Sequence, residues 1–308
     1  MIKYLYFFLL LSIVFSGAIN PVCAEEVPSS LKPSPVETVQ KKRNYFWPPV
    51  YSLLVPGLDQ WIRKEWANGA VYSGIGAGGL ALGLSVNPRS NRRLDPGTRN
   101  DRERFQLVGF QMYSTSGFLS AHHAFLDAVQ TRPDDFSFLS VKDSDWDILK
   151  APLQIQNFIR PTTFIPLILM SAFVAFDAHH DHVNRWMSPS LGDYFFSSTF
   201  SYGAGTGEEA FFRGFLMPTT MKWTHSEWGS NAIQATVFAV AHRINPLPWP
   251  QFLFGLYTGW LSQRRGWGLS ETVFIHTWWD IIAFLADYSF RHPGQGSTLY
   301  LTPISLRF

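Results

Sequence analysis

The chain has 308 residues, with 25 Lys and Arg against 23 Asp and Glu, and a hydrophobic fraction of 46%. Charged residues make up 16%, against about 25% in average soluble domains, which is few for covering a soluble surface. The net charge of +2 argues against a nucleic-acid binder that is held by phosphate neutralisation. The apolar content argues against intrinsic disorder, although the mean hydropathy of −0.01 is low for a polytopic membrane protein.

Residues 1–24 have the pattern of a secretory signal peptide. Lys3 precedes an apolar run over residues 7–19, and Ala24 provides a small-residue cleavage site. The alternative is a membrane anchor that stays attached. Cleavage after Ala24 would remove Cys23, the single cysteine, and would exclude disulfides, thiolate nucleophiles and cysteine zinc ligands from the mature protein.

The region after the signal peptide is predicted to contain a linker, then helices that cross a membrane. Residues 25–66 form a Pro-rich linker with an interfacial helix over 53–66. Residues 67–190 form N-terminal membrane helices and loops, with candidate spans over 70–86, 105–125 and 161–176. Arginines between residues 87 and 104 predict a cytoplasmic loop, and the acidic stretch 130–160 is then expected on the opposite side.

Residues 191–290 contain four further helical candidates, over 191–218, 229–242, 252–263 and 272–288. Each is short or interrupted by ionisable residues, which inside a membrane usually face a protein-lined cavity. The predicted fold is therefore an all-α polytopic membrane bundle with a polar intramembrane cavity. Residues 291–308 are predicted to form a C-terminal tail.

Two adjacent acids in the last third are candidates for distinct chemical roles. Glu209 lies four residues before Arg213, so the two can pair on one face of a helix. Glu208 is rotated by about 100° around the same helix and can point elsewhere. A buried carboxylate without a dedicated cation holds a proton readily, which suits a general base for water.

Two histidines and an aspartate complete the candidate site. His242 ends the pattern Phe238-Ala239-Val240-Ala241-His242, and Asp280 follows His276 by four residues on the same helix face. Asp280 can fix the tautomer of His276 or help to hold a reacting oxygen. Together with Glu208, these groups suit hydrolysis of an amide by activated water.

These motifs, in this order, resemble those of the CPBP family, the CAAX prenyl protease 2 and bacteriocin-processing type of intramembrane endopeptidases. That family carries Glu-Glu-x-x-x-Arg, then Phe-x-x-x-His, then His-x-x-x-Asn or Asp, and the resemblance covers about residues 201–288. It implies a membrane-embedded peptidase with an all-helical fold. The implied roles are water activation by Glu208 and His242, an oxyanion site at His276 and Asp280, and support from Glu209 and Arg213.

The resemblance also fixes what is expected of cofactors, partners and location. We predict catalysis without a metal, and zinc held by Glu208, His242 and His276 is the alternative. The expected partners are a lipid bilayer and a protein or peptide substrate, without nucleic acid, and the expected location is the inner membrane of a bacterium. Two other function classes stay open: a catalytically inactive membrane scaffold or immunity-type protein, and a proton-coupled solute transporter.

Three other features are interpreted as structural. His122 and His123 are expected to serve helix packing or to lie at an interface rather than to act as ligands. Trp278 and Trp279 are expected to face lipid or the membrane interface. The His/Asp-rich stretch 177–182 is expected to be a hydrated loop rather than a metal site.

Overall fold

The computed structural model describes residues 42–85, 100–180, 188–242 and 248–290, with the backbone alone for 173–180 and 290. The predicted signal peptide, most of the linker, the loop up to residue 99 and the tail 291–308 lie outside these residues. So do the side chains of the stretch 177–182.

The described chain is built from helices and has no strand, so the predicted all-α class is confirmed at that level. A first group of helices lies before residue 181. A second group follows it and carries all of the predicted site residues. The helices of the first group are α1 (Trp47–Leu54), α2 (Leu58–Ile62), α3 (Trp66–Ser85), α4 (Asp101–Gln130), α5 (Asp145–Lys150) and α6 (Pro161–His180). Those of the second are α7 (Leu191–Phe211), a π-helix (Phe212–Leu216), α8 (Met217–Thr224), α9 (Glu227–His242), α10 (Trp249–Arg264) and α11 (Ser270–Phe290).

Local sequence signals account for where several of these helices begin. Ser190 and Asp193 form a capping box at the start of α7, in which each side chain bonds the backbone N–H of the other. The side chain of Asn100 caps α4 by accepting a hydrogen bond from the backbone of Arg102. Pro161 begins α6, where its missing N–H costs nothing.

The predicted interfacial helix over residues 53–66 is wrong. The chain turns at Gly57, whose φ of +89° a side chain would disfavour. It turns again at Lys64, which has a φ of +65°. The short helix α2 lies between these two turns.

Helix α4 is the centre of the described bundle. It packs against α3 on one side and against α7 on the other, and α7 in turn packs against α11. Glycines permit the close approach of α3 and α4, because a Cβ atom on Gly109 would lie 2.4 Å from the backbone nitrogen of Gly83. Among the described residues, we find no helix with both the length and the apolar character needed to cross a membrane.

Candidate functional site

The two adjacent acids lie near the end of α7, deep in the protein. Glu208 is 2% exposed and Glu209 is completely buried. The π-helix follows directly and carries Arg213, which is also completely buried. Wide π turns of this kind occur often at functional sites, because the extra residue redirects side chains.

Glu209 is held by two partners. Its Oε1 lies 3.0 Å from Nη1 of Arg213 and 2.8 Å from Nδ1 of His276. The guanidinium of Arg213 also lies over the ring of Phe238, 4.6 Å from its centroid, which is a cation–π arrangement. The predicted pairing of residues 209 and 213 is therefore present, and the same carboxylate also orients a histidine from α11.

Glu208 faces the cavity instead. Its Oε2 is buried and has no hydrogen-bond partner. The same atom lies 3.9 Å from Nε2 of His242 and 3.9 Å from Nε2 of His276. Both distances exceed a direct hydrogen bond, and a small polar molecule can bridge groups at such separations.

His242 is oriented by its own helix. Its Nδ1 lies 2.7 Å from the backbone oxygen of Phe238, an arrangement in which Nδ1 carries the proton and donates it. The opposite nitrogen, Nε2, is then free of its proton and faces Glu208. The ring also packs against the Phe238 ring at a centroid distance of 4.4 Å, which further restricts its rotation.

Asp280 lies at the edge of the group, with 14% of its side chain exposed and Oδ2 3.7 Å from Nε2 of His276. The sequence left two roles open for this residue. The tautomer of His276 is set by Glu209 at the opposite nitrogen, so this geometry does not assign that role to Asp280.

The four cavity-facing residues predicted from the sequence meet at one cavity of about 50 Å³. This volume has room for water molecules. The lining residues are Glu208, Phe238, His242, Pro250, Gln251, Phe254, His276, Trp279 and Asp280.

Trp279 is partly exposed; it also lines the cavity, and its ring packs on Phe254 at a centroid distance of 5.3 Å. Trp278 is 40% exposed, with its indole N–H bonded to the oxygen of Pro152 at 3.0 Å. The start of α10, with Pro250 and Gln251, also joins the cavity. No motif in the sequence indicated that contribution.

Glu208, His242 and His276 would have to move closer together to bind one zinc ion. Ligands of tetrahedral zinc lie about 3.4 Å apart when each bond is about 2.1 Å, and the carboxylate oxygen is 3.9 Å from each imidazole nitrogen.

A buried carboxylate that faces two imidazoles across a small cavity is an arrangement that water-activating hydrolases use. Residues 190–282 match the family model described as type II CAAX prenyl endopeptidase, Rce1-like. The matched family is one of peptidases, and the match supports the CAAX protease family that the motifs resemble. Comparison with curated proteins and with solved structures gives no match.

Proposed function

We propose that the chain is a membrane-embedded endopeptidase that hydrolyses peptide bonds with a water molecule activated by Glu208. The observation that carries this proposal is the position of one partnerless carboxylate oxygen, 3.9 Å from the Nε2 atoms of His242 and His276. The match to a peptidase family over the same segment supports it. A scaffold would not require a buried acid with no hydrogen-bond partner, which is costly to maintain.

The side chains support the following sequence of steps. A water held between Glu208 and His242 gives a proton to the Glu208 carboxylate while its oxygen attacks the carbonyl carbon of the substrate. The carbonyl oxygen becomes an oxyanion next to His276 and Asp280, which stabilise it by hydrogen bonds if each presents a proton. The proton on Glu208 then passes to the leaving nitrogen as the C–N bond breaks, which yields a carboxylic acid and an amine.

The bilayer is part of this proposal because many large apolar side chains lie on the outside. Exposed apolar side chains on this scale are typical of surfaces that contact lipid or another protein. They include Leu191 (85%), Ile159 (78%), Ile155 (75%), Leu153 (74%), Phe195 (71%) and Trp228 (68%). Membrane embedding is tested by fractionation: the protein should stay with membranes at alkaline pH and be released by detergent.

The catalytic proposal is tested with Glu208→Gln, which keeps the volume of the side chain and removes its ability to accept a proton. Membrane proteomes of cells that carry the wild-type or variant protein are compared for accumulated precursors, and the purified proteins are then assayed on such a precursor. We expect cleavage to fall by about 100-fold or more. The matched control is Glu227→Gln, at an exposed glutamate, which should cleave normally.

Three outcomes would contradict parts of this proposal. Cleavage that persists in the purified Glu208→Gln protein would contradict the assignment of the base. A purified wild-type protein that binds the precursor without cleaving it would favour the scaffold. Altered solute uptake by the variant without any cleavage would favour the transporter.

A further inference from the structure

A second group of polar side chains lies outside the segment that matches the family, in the first half of the chain. Glu65 directly precedes α3, His123 and Asp127 lie one turn apart on α4, and Asp145 begins α5. Among the described residues, Glu65, His123 and Asp127 form the one group of three whose donor atoms all lie within 4.8 Å of one another. We propose that these three side chains bind a zinc ion.

The spacing of the donor atoms matches what zinc requires. Nε2 of His123 lies 3.3 Å from Oε2 of Glu65 and 3.5 Å from Oδ2 of Asp127. Tetrahedral zinc with bonds of about 2.0–2.2 Å places neighbouring ligands about 3.3–3.5 Å apart. An imidazole donor favours zinc over calcium or magnesium, which take oxygen ligands.

The other nitrogen of His123 is held in the manner of a metal ligand. Nδ1 lies 2.6 Å from Oδ2 of Asp145, and the hydroxyl of Tyr72 donates to the same oxygen. Histidines that bind zinc usually donate their second N–H to a carboxylate, which orients the ring and makes it more basic.

The group holds more acidic than basic side chains. Glu65, Asp127 and Asp145 are acidic, and the cation that contacts Glu65 and Asp127 is Arg63, which also contacts Asp59. The atom of Asp127 that Nη1 of Arg63 contacts is Oδ2, so a zinc ion bound there would displace the guanidinium. Oε2 of Glu65 is buried without a hydrogen-bond partner. A divalent cation would balance the charge and give both oxygens a ligand bond.

A second buried histidine lies beside Asp145, the carboxylate that holds His123. The side chain of His122 is 2% exposed and its Nδ1 has no hydrogen-bond partner. That atom lies 3.5 Å from Oδ1 of Asp145. On its other side, the ring of His122 lies against the π-helix, since a Cβ atom on Gly214 would be 2.4 Å from it. Zinc held by Glu65, His123 and Asp127 would join the start of α3 to α4, and Asp145 at the start of α5 would hold His123 from behind.

The test uses the full chain in detergent micelles, stripped of metal with a chelator and titrated with zinc chloride by calorimetry. We expect one zinc per chain and a rise in thermal unfolding temperature on zinc addition. Asp127→Asn should weaken this binding by at least about 10-fold and remove the thermal shift. The matched control is Asp101→Asn, an exposed residue of the same helix, which should bind zinc as the wild type does.

A second pair of variants separates this site from the cavity and guards against misfolding. His242→Ala should still bind one zinc, whereas Asp145→Asn, which keeps all three ligands, should bind about 10–100-fold more weakly. The proposal is overturned if the wild type binds no zinc, or if Asp127→Asn and Asp145→Asn both bind it as tightly as the wild type. Loss of zinc binding in His242→Ala alone would assign the metal to the cavity instead.

Discussion

His276 and Arg213 meet at one oxygen, Oε1 of Glu209, at distances of 2.8 and 3.0 Å. The carboxylate therefore orients a side chain from α11 and neutralises a guanidinium from the π-helix at the same time. All three groups are buried, and buried ionic groups of this kind are destabilising when one partner is removed. The two adjacent glutamates therefore differ in their contacts. Glu209 binds Arg213 and orients His276, whereas Glu208 faces the cavity.

Removal of the buried guanidinium should destabilise the protein strongly. We expect Arg213→Met to lower the free energy of unfolding by about 3–5 kcal/mol, because Glu209 would keep a buried charge without its cation. Thermal unfolding in detergent micelles, followed by circular dichroism, measures this effect. The control is Lys222→Met, which breaks the half-exposed pair with Asp135 and should cost no more than about 1 kcal/mol. Equal losses in the two variants would contradict the structural role of Arg213.

Asp280 should be replaceable by an amide but not by an apolar residue. Asp280→Asn keeps a group that can donate a hydrogen bond to an oxyanion, so we expect it to retain most of the cleavage activity. Asp280→Leu removes the donor and should lower kcat by about 100-fold with little change in KM. Steady-state kinetics on a cleaved precursor checks both variants. A Leu variant as active as the Asn variant would show that Asp280 does not act on the reacting oxygen.

The close contact between α7 and α11 should be sensitive to one methyl group. A Cβ atom on Gly205 would lie 2.2 Å from Oγ1 of Thr277, the neighbour of His276. Gly205→Ala should therefore separate the two helices, lower thermal stability and reduce cleavage. The matched control is Gly78→Ala on α3, where nothing lies within 4 Å of the new atom, so that stability should rise by up to about 1 kcal/mol. A Gly205→Ala protein as stable and active as the wild type would contradict this packing.

Chelation should separate the two sites. If catalysis needs no metal, the metal-stripped protein should cleave its precursor at the normal rate at temperatures where it stays folded. The same treatment should lower its unfolding temperature, because the ion that joins Glu65 to His123 and Asp127 on α4 is removed. Asp127→Asn is the reference, since its unfolding temperature should not respond to the chelator. Cleavage that is lost on chelation and restored by zinc in Asp127→Asn would instead place a functional metal among Glu208, His242 and His276.

The sequence predicted the long helices well because their signals are local. The candidates over residues 70–86, 161–176 and 229–242 correspond to α3, α6 and α9, since apolar periodicity and caps are read within a few residues. The helix over residues 53–66 failed because the chain turns at positive φ at Gly57 and Lys64. A turn with positive φ interrupts a helix even where the neighbouring residues favour helical structure.

Only those contacts of the candidate site that lie within one helix could be predicted from the sequence. Pairs spaced by four residues, such as Glu209 with Arg213, follow from helix geometry alone. The bond between Glu209 and His276 joins residues 67 positions apart, and no local pattern contains that information. The same holds for Trp279, whose exposure depends on how α10 packs beside it. Long-range packing decides these contacts, and a single sequence does not encode it in a readable pattern.

The wide turn at Phe212–Leu216 has a consequence for how this chain tolerates length changes. A π-helix corresponds to an α-helix that has received one additional residue. Deleting a single position here would restore ordinary helical winding and swing the guanidinium of Arg213 by about 100° around the axis. Deletion of one codon would then be enough to break the buried ion pair between Arg213 and Glu209.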